Sequence, residues 1–397
     1  MARLTVRPSV TTSTVKHLMA KLYGLTTETV DEKDSFLDQT FHVTVRTSGD
    51  QGNVGVTEHY VLKILNAEDS REPEFLDGQH EMLFHLSKKR VTINNTNIQT
   101  PLPVRNTSGT FWSKEKLYIE KYEETAIKDK TDIPFEYYVV RLLTYVPGEV
   151  LYTVPYTPDI LYQAGNICGG INNALEDFWH PSYNLSGDRW RFANVPTLLE
   201  YVHIFEDPKK KRVIQDVVKR FQSDVLNNSV NLPEGIIHGD IGGGNMLTVT
   251  SMGQGQNQGH VISGVIDFGD SHYGCMVYEV ATAMANLIGE SKSSDPLTSA
   301  GHFLAGYMRV RPLSCKELDA LWVCIAARLA QLATYSLDTY FLNPTSKYEY
   351  LLRKAETGWK LLEKVLKTEE KEVYEAWRAI IDSYSMNENE NENGTVR

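Results

Sequence analysis

Two carboxylates and an amide stand at a spacing that suits transfer of a phosphoryl group. The run Ile236-Ile237-His238-Gly239-Asp240-Ile241-Gly242-Gly243-Gly244-Asn245-Met246-Leu247 is followed by Val265-Ile266-Asp267-Phe268-Gly269-Asp270. Phosphoryl transfer needs an acceptor for the hydroxyl proton and oxygen ligands that hold a divalent cation against the phosphates. Asp240 can take the proton. Asn245 and Asp267 offer the hard oxygens that Mg²⁺ prefers. A lone Asp after an apolar run is ordinarily a turn residue; HGDxxxxN together with a later, apolar-flanked DFG is what points to chemistry.

These residues need a rigid base. The apolar runs before Asp240, after Asn245 and before Asp267 read as buried strands that bring the polar groups out at their ends. Upstream, Phe41–Val45 and His59–Leu65 read as strands of a hairpin around the Gly-rich Ser48–Thr57. Lys63 lies in the apolar Tyr60-Val61-Leu62-Lys63-Ile64. An ammonium buried there needs an anionic partner, and a nucleotide phosphate would serve. Thr12–Tyr23 and Glu74–Leu86 read as helices, and Leu117–Lys121 and Tyr137–Tyr145 as further strands around a charged turn, Glu123–Asp132. After Val146-Pro147-Gly148 come helices at Asp159–Phe178, Val195–Phe205 and Val213–Leu226. The strands around Asp240 follow, with a Gly/Gln loop at Met252–His260, and helices run from there to about Ser383. The fold class is therefore α+β. We expect a nucleotide-binding part over residues 1–146, a catalytic and substrate-binding part over 147–385, and a disordered Asn/Glu-rich tail over 386–397.

Composition narrows the class. The 397 residues are 41% hydrophobic and 23% charged, ordinary for a globular chain, and the net charge is −11. That charge disfavours a nucleic-acid partner. The start, Met1–Val6, predicts no secretory leader, and Leu321–Leu332, broken by Arg328 and Gln331, reads as a core helix rather than a membrane span. Cys168, Cys275, Cys315 and Cys324 form no CxxC pair, so reduced thiols are expected. His80 and His85 imitate a zinc motif, but i and i+5 do not share a helical face.

HGDxxxxN followed by IDFGD resembles the aminoglycoside phosphotransferases and choline-kinase-like enzymes, whose pattern is a variant of the HRDxxxxN and DFG pair of protein kinases. The resemblance implies a two-lobed protein-kinase-like fold, with Asp240 as base, Asn245 and Asp267 on Mg²⁺, His238 supporting the loop and Lys63 on the nucleotide. Asp38 and Gln39 fall where protein kinases carry the Gly-rich loop. The helix position that usually supplies a Glu to the lysine falls on Gln79, so either Gln79 is a neutral partner of Lys63 or the register shifts. Over most of the chain the sequence is similar to the hydroxylysine kinase family. The matching segments include Val140–Gly148, Asp267–Gly274, Val277–Ala281 and Thr357–Lys360. That likeness implies a cytoplasmic enzyme of lysine and hydroxylysine breakdown. It would move phosphate to the side-chain hydroxyl of 5-hydroxy-L-lysine from GTP, with ATP as the other donor.

Such an acceptor carries two ammonium groups and a carboxylate, which call for carboxylates and for Arg or Lys. Asp270 suits an ammonium. Glu279 is either a second ammonium partner or a brace for the following helix. Arg189 and Trp190 suit a carboxylate and a stacked cation, or form a salt-bridged loop. Arg328 is either a buried ion-pair member or a substrate clamp, the ion pair being the better fit. The other readings are a kinase of choline, ethanolamine, homoserine or an aminoglycoside, and a catalytically inactive kinase-like binding protein.

Overall fold

A computed structural model describes all residues except 1–6, 36, 47–55, 94–95, 119–134, 185–188, 253–257, 293–294, 343–347 and 395–397, with backbone alone at 93, 118, 184, 252, 258 and 387–394. The hairpin tip expected at Ser48–Thr57 and the turn Glu123–Asp132 fall almost wholly outside the described residues. The chain forms two compact units, Met1–Phe84 with Thr100–Val146, and His85–Gln99 with Pro147–Arg397.

In the first unit α1 (Thr12–Tyr23) precedes the strands β1 (Thr27–Lys33), β2 (Gln39–Arg46) and β3 (Thr57–Ile64), and then α2 (Phe75–Lys89). A two-rung hairpin, β4 (Thr92–Ile93) and β5 (Thr96–Asn97), belongs to the second unit. β6 (Pro103–Val104), β7 (Trp112–Tyr118) and β8 (Phe135–Thr144) complete the first. The sheet is antiparallel in the order β1-β2-β3-β8-β6, with β7 also pairing β8. Thr11 caps α1 by accepting from the Thr14 N–H, and Gly24 ends it at φ 67°. The period-two pattern sorts the faces. Phe41, Val43, Val45, Leu62, Ile64, Tyr138, Val140 and Leu142 pack with Val15, Leu18, Met19 and Leu22 of α1. Val139, one residue out of phase, packs instead with Leu65 and with Leu76 of α2. Lys63 lies opposite Arg141 across β3 and β8, between the Leu62–Leu142 and Ile64–Val140 pairs, and so falls on the face of Val139.

The second unit continues with β9 (Glu149–Val150), α3 (Pro158–Ala174), α4 (Leu198–Tyr201), α5 (Pro208–Asp224), β10 (Glu234–Ile237), β11 (Met246–Met252), β12 (Gln258–Val265) and β13 (His272–Cys275). It ends in α6 (Met276–Glu290), α7 (Pro296–Val310), α8 (Cys315–Leu342), α9 (Glu349–Lys367) and α10 (Glu370–Gly394). β10 pairs β13, and β9, β11 and β12 form an antiparallel sheet. The helix expected at Val195–Phe205 is broken. 3₁₀ turns at Phe192–Thr197 and Val202–Ile204 flank the single turn of α4, and Pro196, which lacks an N–H, sits inside the first of them. The backbone of Met386–Gly394, expected to be disordered, continues α10; Glu is a good helix former. α8 is long and apolar enough to cross a membrane, yet 94% of that stretch is buried inside the protein. It is a core helix, and it buries Arg328 at 3% exposure.

Candidate active site

The catalytic loop hangs between β10 and β11. Ile236 and Ile237 are buried and pair with Tyr273 and His272 of β13, which fixes where His238 leaves the strand. Gly239 follows at φ 83°, a region that L side chains rarely adopt; a Cβ there would lie 2.4 Å from the Asp270 carbonyl oxygen and 3.1 Å from the His272 ring. Glu279, 1% exposed on α6, accepts from the His238 N–H and, at 3.3 Å, from the Gly239 N–H. Burial pushes the Glu279 carboxyl above its ordinary range, and these two N–H groups pull it back down. His238 donates from Nε2 to the Ile266 carbonyl at 3.0 Å and accepts at Nδ1 from the Asp240 N–H at 3.3 Å, so one neutral tautomer satisfies both bonds. Its ring lies 4.5 Å from that of Phe268. His238 thus supports both the loop and the DFG turn.

Three donors meet the Asp240 carboxylate, which is 30% exposed. Asn245 donates from Nδ2 to Oδ2 at 3.0 Å and to the Asp240 carbonyl at 2.9 Å. Asn286 of α6 donates to Oδ1 at 3.1 Å, and Arg328 of α8 donates to the same oxygen at 3.2 Å. The amide nitrogen of Asn245 is used toward Asp240, which leaves its amide oxygen to serve a cation. Met246 pairs with Val265, and the Ile266 N–H donates to the Asn245 carbonyl at 2.9 Å; the ladder therefore sets Asn245 beside the segment that ends in Asp267. Asp267 is exposed, in the left-handed region at φ 60° and ψ 64°, and opens the 3₁₀ turn Phe268–Asp270. Among the described residues no group of three or more His, Cys, Asp or Glu is placed to hold a metal. The donor set here is one carboxylate and one amide. Mg²⁺ suits so sparse a set, since it keeps waters and takes phosphate oxygens.

The three glycines of the loop differ in purpose. A Cβ on Gly243 would lie 2.0 Å from the Tyr156 hydroxyl and 2.4 Å from Glu290 Oε2. Tyr156 donates to Glu290 at 2.6 Å, and the Gly243 N–H donates to the same carboxylate at 2.8 Å. Gly242 lies against Asn286, 3.1 Å from a built Cβ, whereas Gly244 has nothing within 4 Å.

The substrate candidates part ways. Asp270 is exposed at the end of the DFG turn, and its carbonyl accepts from His272 Nδ1 at 2.7 Å. Burial pushes His272 down to about 4, against that hydrogen bond and helped by the charges of Arg191 and Arg328. Glu279 is buried and braces the His238–Gly239 backbone rather than capping its own helix. Arg189 is a structural cation, donating to Asp338 at 2.7 Å and to Thr339 at 2.5 Å, with its guanidinium 4.8 Å from the Tyr335 ring. Trp190 is half-buried, with its ring 5.1 Å from the Arg328 guanidinium and its carbonyl accepting from Arg328 at 3.3 Å. Sequence reading missed Asn286, Glu290 and Tyr156. The signal for the first two is periodic: Glu279, Thr282, Asn286 and Glu290 recur at three or four residues in an otherwise apolar helix.

In the first unit, Lys63 Nζ lies 3.9 Å from Asp38 Oδ2, and the other Asp38 oxygen accepts from the Asn66 N–H at 2.9 Å. The Gln39 carboxamide is committed to Val10, accepting from its N–H at 2.9 Å and donating to its carbonyl at 3.1 Å, which leaves only the backbone at that position for a ligand. The side-chain acceptor of Gln79 is used by Arg141 Nη1 at 2.9 Å, an arginine that the Lys63-centred reading did not consider. His80, of the zinc-like motif, has both ring nitrogens buried without a hydrogen-bond partner among the described residues; burial, with the nearby Arg141 charge, pushes it down to about 3.

A β-rich N-terminal part, a mainly helical C-terminal part and an HGDxxxxN–DFG site define a kinase-like phosphotransferase of small molecules. The chain belongs to the phosphotransferase enzyme family, whose sequence model matches residues 36–313. It is 32% identical to a hydroxylysine kinase of Xenopus laevis over 387 residues, 95% of this chain and 96% of that one. It is 29% identical to a hydroxylysine kinase of Mus musculus over 389 residues, 96% of each. In fold it is similar to an amicoumacin kinase in complex with AMP-PNP, Ca²⁺ and Ami, at TM-score 0.61 and 16% identity over 92% of this chain and 97% of that one. The protein is an alcohol phosphotransferase that uses a small substrate and a nucleotide.

Proposed function

We propose that this enzyme transfers the γ-phosphate of GTP to the side-chain hydroxyl of 5-hydroxy-L-lysine, in the cytoplasm, as a step in lysine and hydroxylysine breakdown. The observation that carries the chemistry is the arrangement at Asp240, a partly exposed carboxylate steadied by Asn245 at the end of a strand pair that also leads to Asp267. The nearly full-length relationship to hydroxylysine kinases supports the acceptor.

On this reading Asp240 orients the acceptor hydroxyl and takes its proton as the oxygen attacks the γ-phosphorus and the bond to the β–γ bridging oxygen breaks, releasing GDP. The Asn245 amide oxygen and the Asp267 carboxylate would hold Mg²⁺, which would supply positive charge against the phosphates. Lys63 contacts the nucleotide phosphates, and Asp38 keeps its ammonium compensated in the meantime. Asp270, exposed beside Asp267, takes an ammonium of the acceptor. Positioning and charge complementarity account for most of the rate in such a reaction.

The test is a screen of 5-hydroxylysine, homoserine, choline and ethanolamine, each with GTP and ATP. The expected result is turnover of 5-hydroxylysine above the others, faster with GTP, and its loss in Asp240→Asn with nucleotide affinity unchanged. Failure of 5-hydroxylysine in every combination rules the acceptor assignment out.

A further inference from the structure

The two oxygens of the Asp240 carboxylate are held differently. Oδ1 receives Arg328 Nη2 at 3.2 Å and Asn286 Nδ2 at 3.1 Å, two donors for its two lone pairs. Oδ2 receives the Asn245 amide at 3.0 Å, and the carboxylate is 30% exposed. Both donors on Oδ1 come from the interior: Arg328 is 3% exposed and Asn286 8%. Asn286 is itself oriented, since its nitrogen also donates to the Ile241 carbonyl at 3.0 Å; turning the amide over would set its oxygen against the Asp240 carboxylate. Arg328 is anchored in turn by the Trp190 carbonyl and the Trp190 ring.

We propose that Arg328 and Asn286 are positioning residues that bind Asp240 Oδ1 and so assign the proton of the acceptor hydroxyl to Oδ2. This rests on Asp240 being the base. A carboxylate free to rotate would offer either oxygen at a range of angles. The guanidinium and the amide remove that freedom, and misplacement of reacting groups by as little as an ångström is costly in rate. Burial makes the arrangement rigid, because breaking a buried charge-assisted bond leaves the guanidinium without its counter-ion. Asn286 reports on the same oxygen from a different helix, so the two residues test one arrangement independently.

The experiment is a mutant cycle with whichever alcohol the wild type phosphorylates best. Arg328→Met and Asn286→Ala are each expected to lower kcat about 10- to 100-fold, a fraction of the roughly 100- to 10,000-fold that a general base supplies. KM for nucleotide and for acceptor should stay within about twofold, and Arg328→Lys should recover part of the loss. In an Asp240→Asn background, Arg328→Met should change the residual turnover less than about twofold, because a residue that acts through Asp240 has nothing left to position. An equal further loss in that background overturns the proposal and makes Arg328 a general structural residue. A raised acceptor KM at unchanged kcat also overturns it, and places Arg328 on the substrate. If Arg328→Met does not fold, Asn286→Ala and Arg328→Lys carry the same readouts. Undiminished turnover in Asp240→Asn unseats the base assignment itself, an outcome separate from either of these.

Discussion

Lys63 and Arg141 face each other across β3 and β8 as directly paired residues, 8% and 4% exposed. Like charges directly opposite on a sheet repel, so two buried cations there need negative or dipolar company. Asp38 supplies it to Lys63 and Gln79 to Arg141. A triphosphate is a natural third member, and a neutral Gln79 keeps the pair electropositive. Lys63→Met should weaken nucleotide binding by about tenfold or more, and Gln79→Glu should weaken it as well by adding a competing carboxylate. Calorimetric titration with GTP and ATP checks both, and tighter binding in Gln79→Glu would exclude this account.

Gly239 and Gly244 should respond oppositely to alanine. Gly239→Ala sets a Cβ 2.4 Å from a backbone oxygen at positive φ, so activity should vanish and stability should fall by about 2 kcal/mol or more. Gly244→Ala meets nothing within 4 Å and should leave stability unchanged or raise it by about 0.5 kcal/mol. Urea unfolding of the two variants makes the comparison. Equal effects would show that the loop is not held as described.

Glu279→Gln tests the brace. The variant keeps its shape but turns an N–H₂ toward backbone N–H groups, and the expected destabilisation is about 2 kcal/mol, the range for hydrogen bonds to a charged group. Acceptor KM should barely move while kcat falls. A selective rise in acceptor KM would return Glu279 to the substrate.

His272 makes stability pH-dependent. Its pKa falls from 6.5 to about 4 on folding, so between those values the unfolded chain binds more protons. Stability is therefore full above pH 6.5 and declines as pH drops toward 4, by on the order of 3 kcal/mol for this group. Unfolding measured across that interval should show the slope, and His272→Gln should lose this share of it.

The sequence by itself determined the chemistry. The strand ends that carry Asp240, Asn245 and Asp267 were legible because an unbroken apolar run beside a polar motif has few other readings, and α1, β2, β3 and β8 were legible because their burial follows local periodicity. Gly242 to Gly244 carry no such local reason. What explains Gly243 is a Tyr156–Glu290 pair drawn from residues 87 before and 47 after it, and only the fold assembles that. The sequence left Arg189 and Glu279 with two readings each for the same reason: a charged side chain has no periodicity that names its partner, and Asp338 and the His238–Gly239 backbone meet them through contacts 149 and about 40 residues away. Register along one helix left Gln79 as either a neutral partner of Lys63 or a shifted position, and the pairing of β3 with β8 brings Arg141 to its side-chain oxygen. Tertiary structure likewise decided that Arg328, a cation inside the apolar Leu321–Leu332 stretch of α8, ends on Asp240. A buried charge must find a counter-charge, but sequence spacing does not say which one.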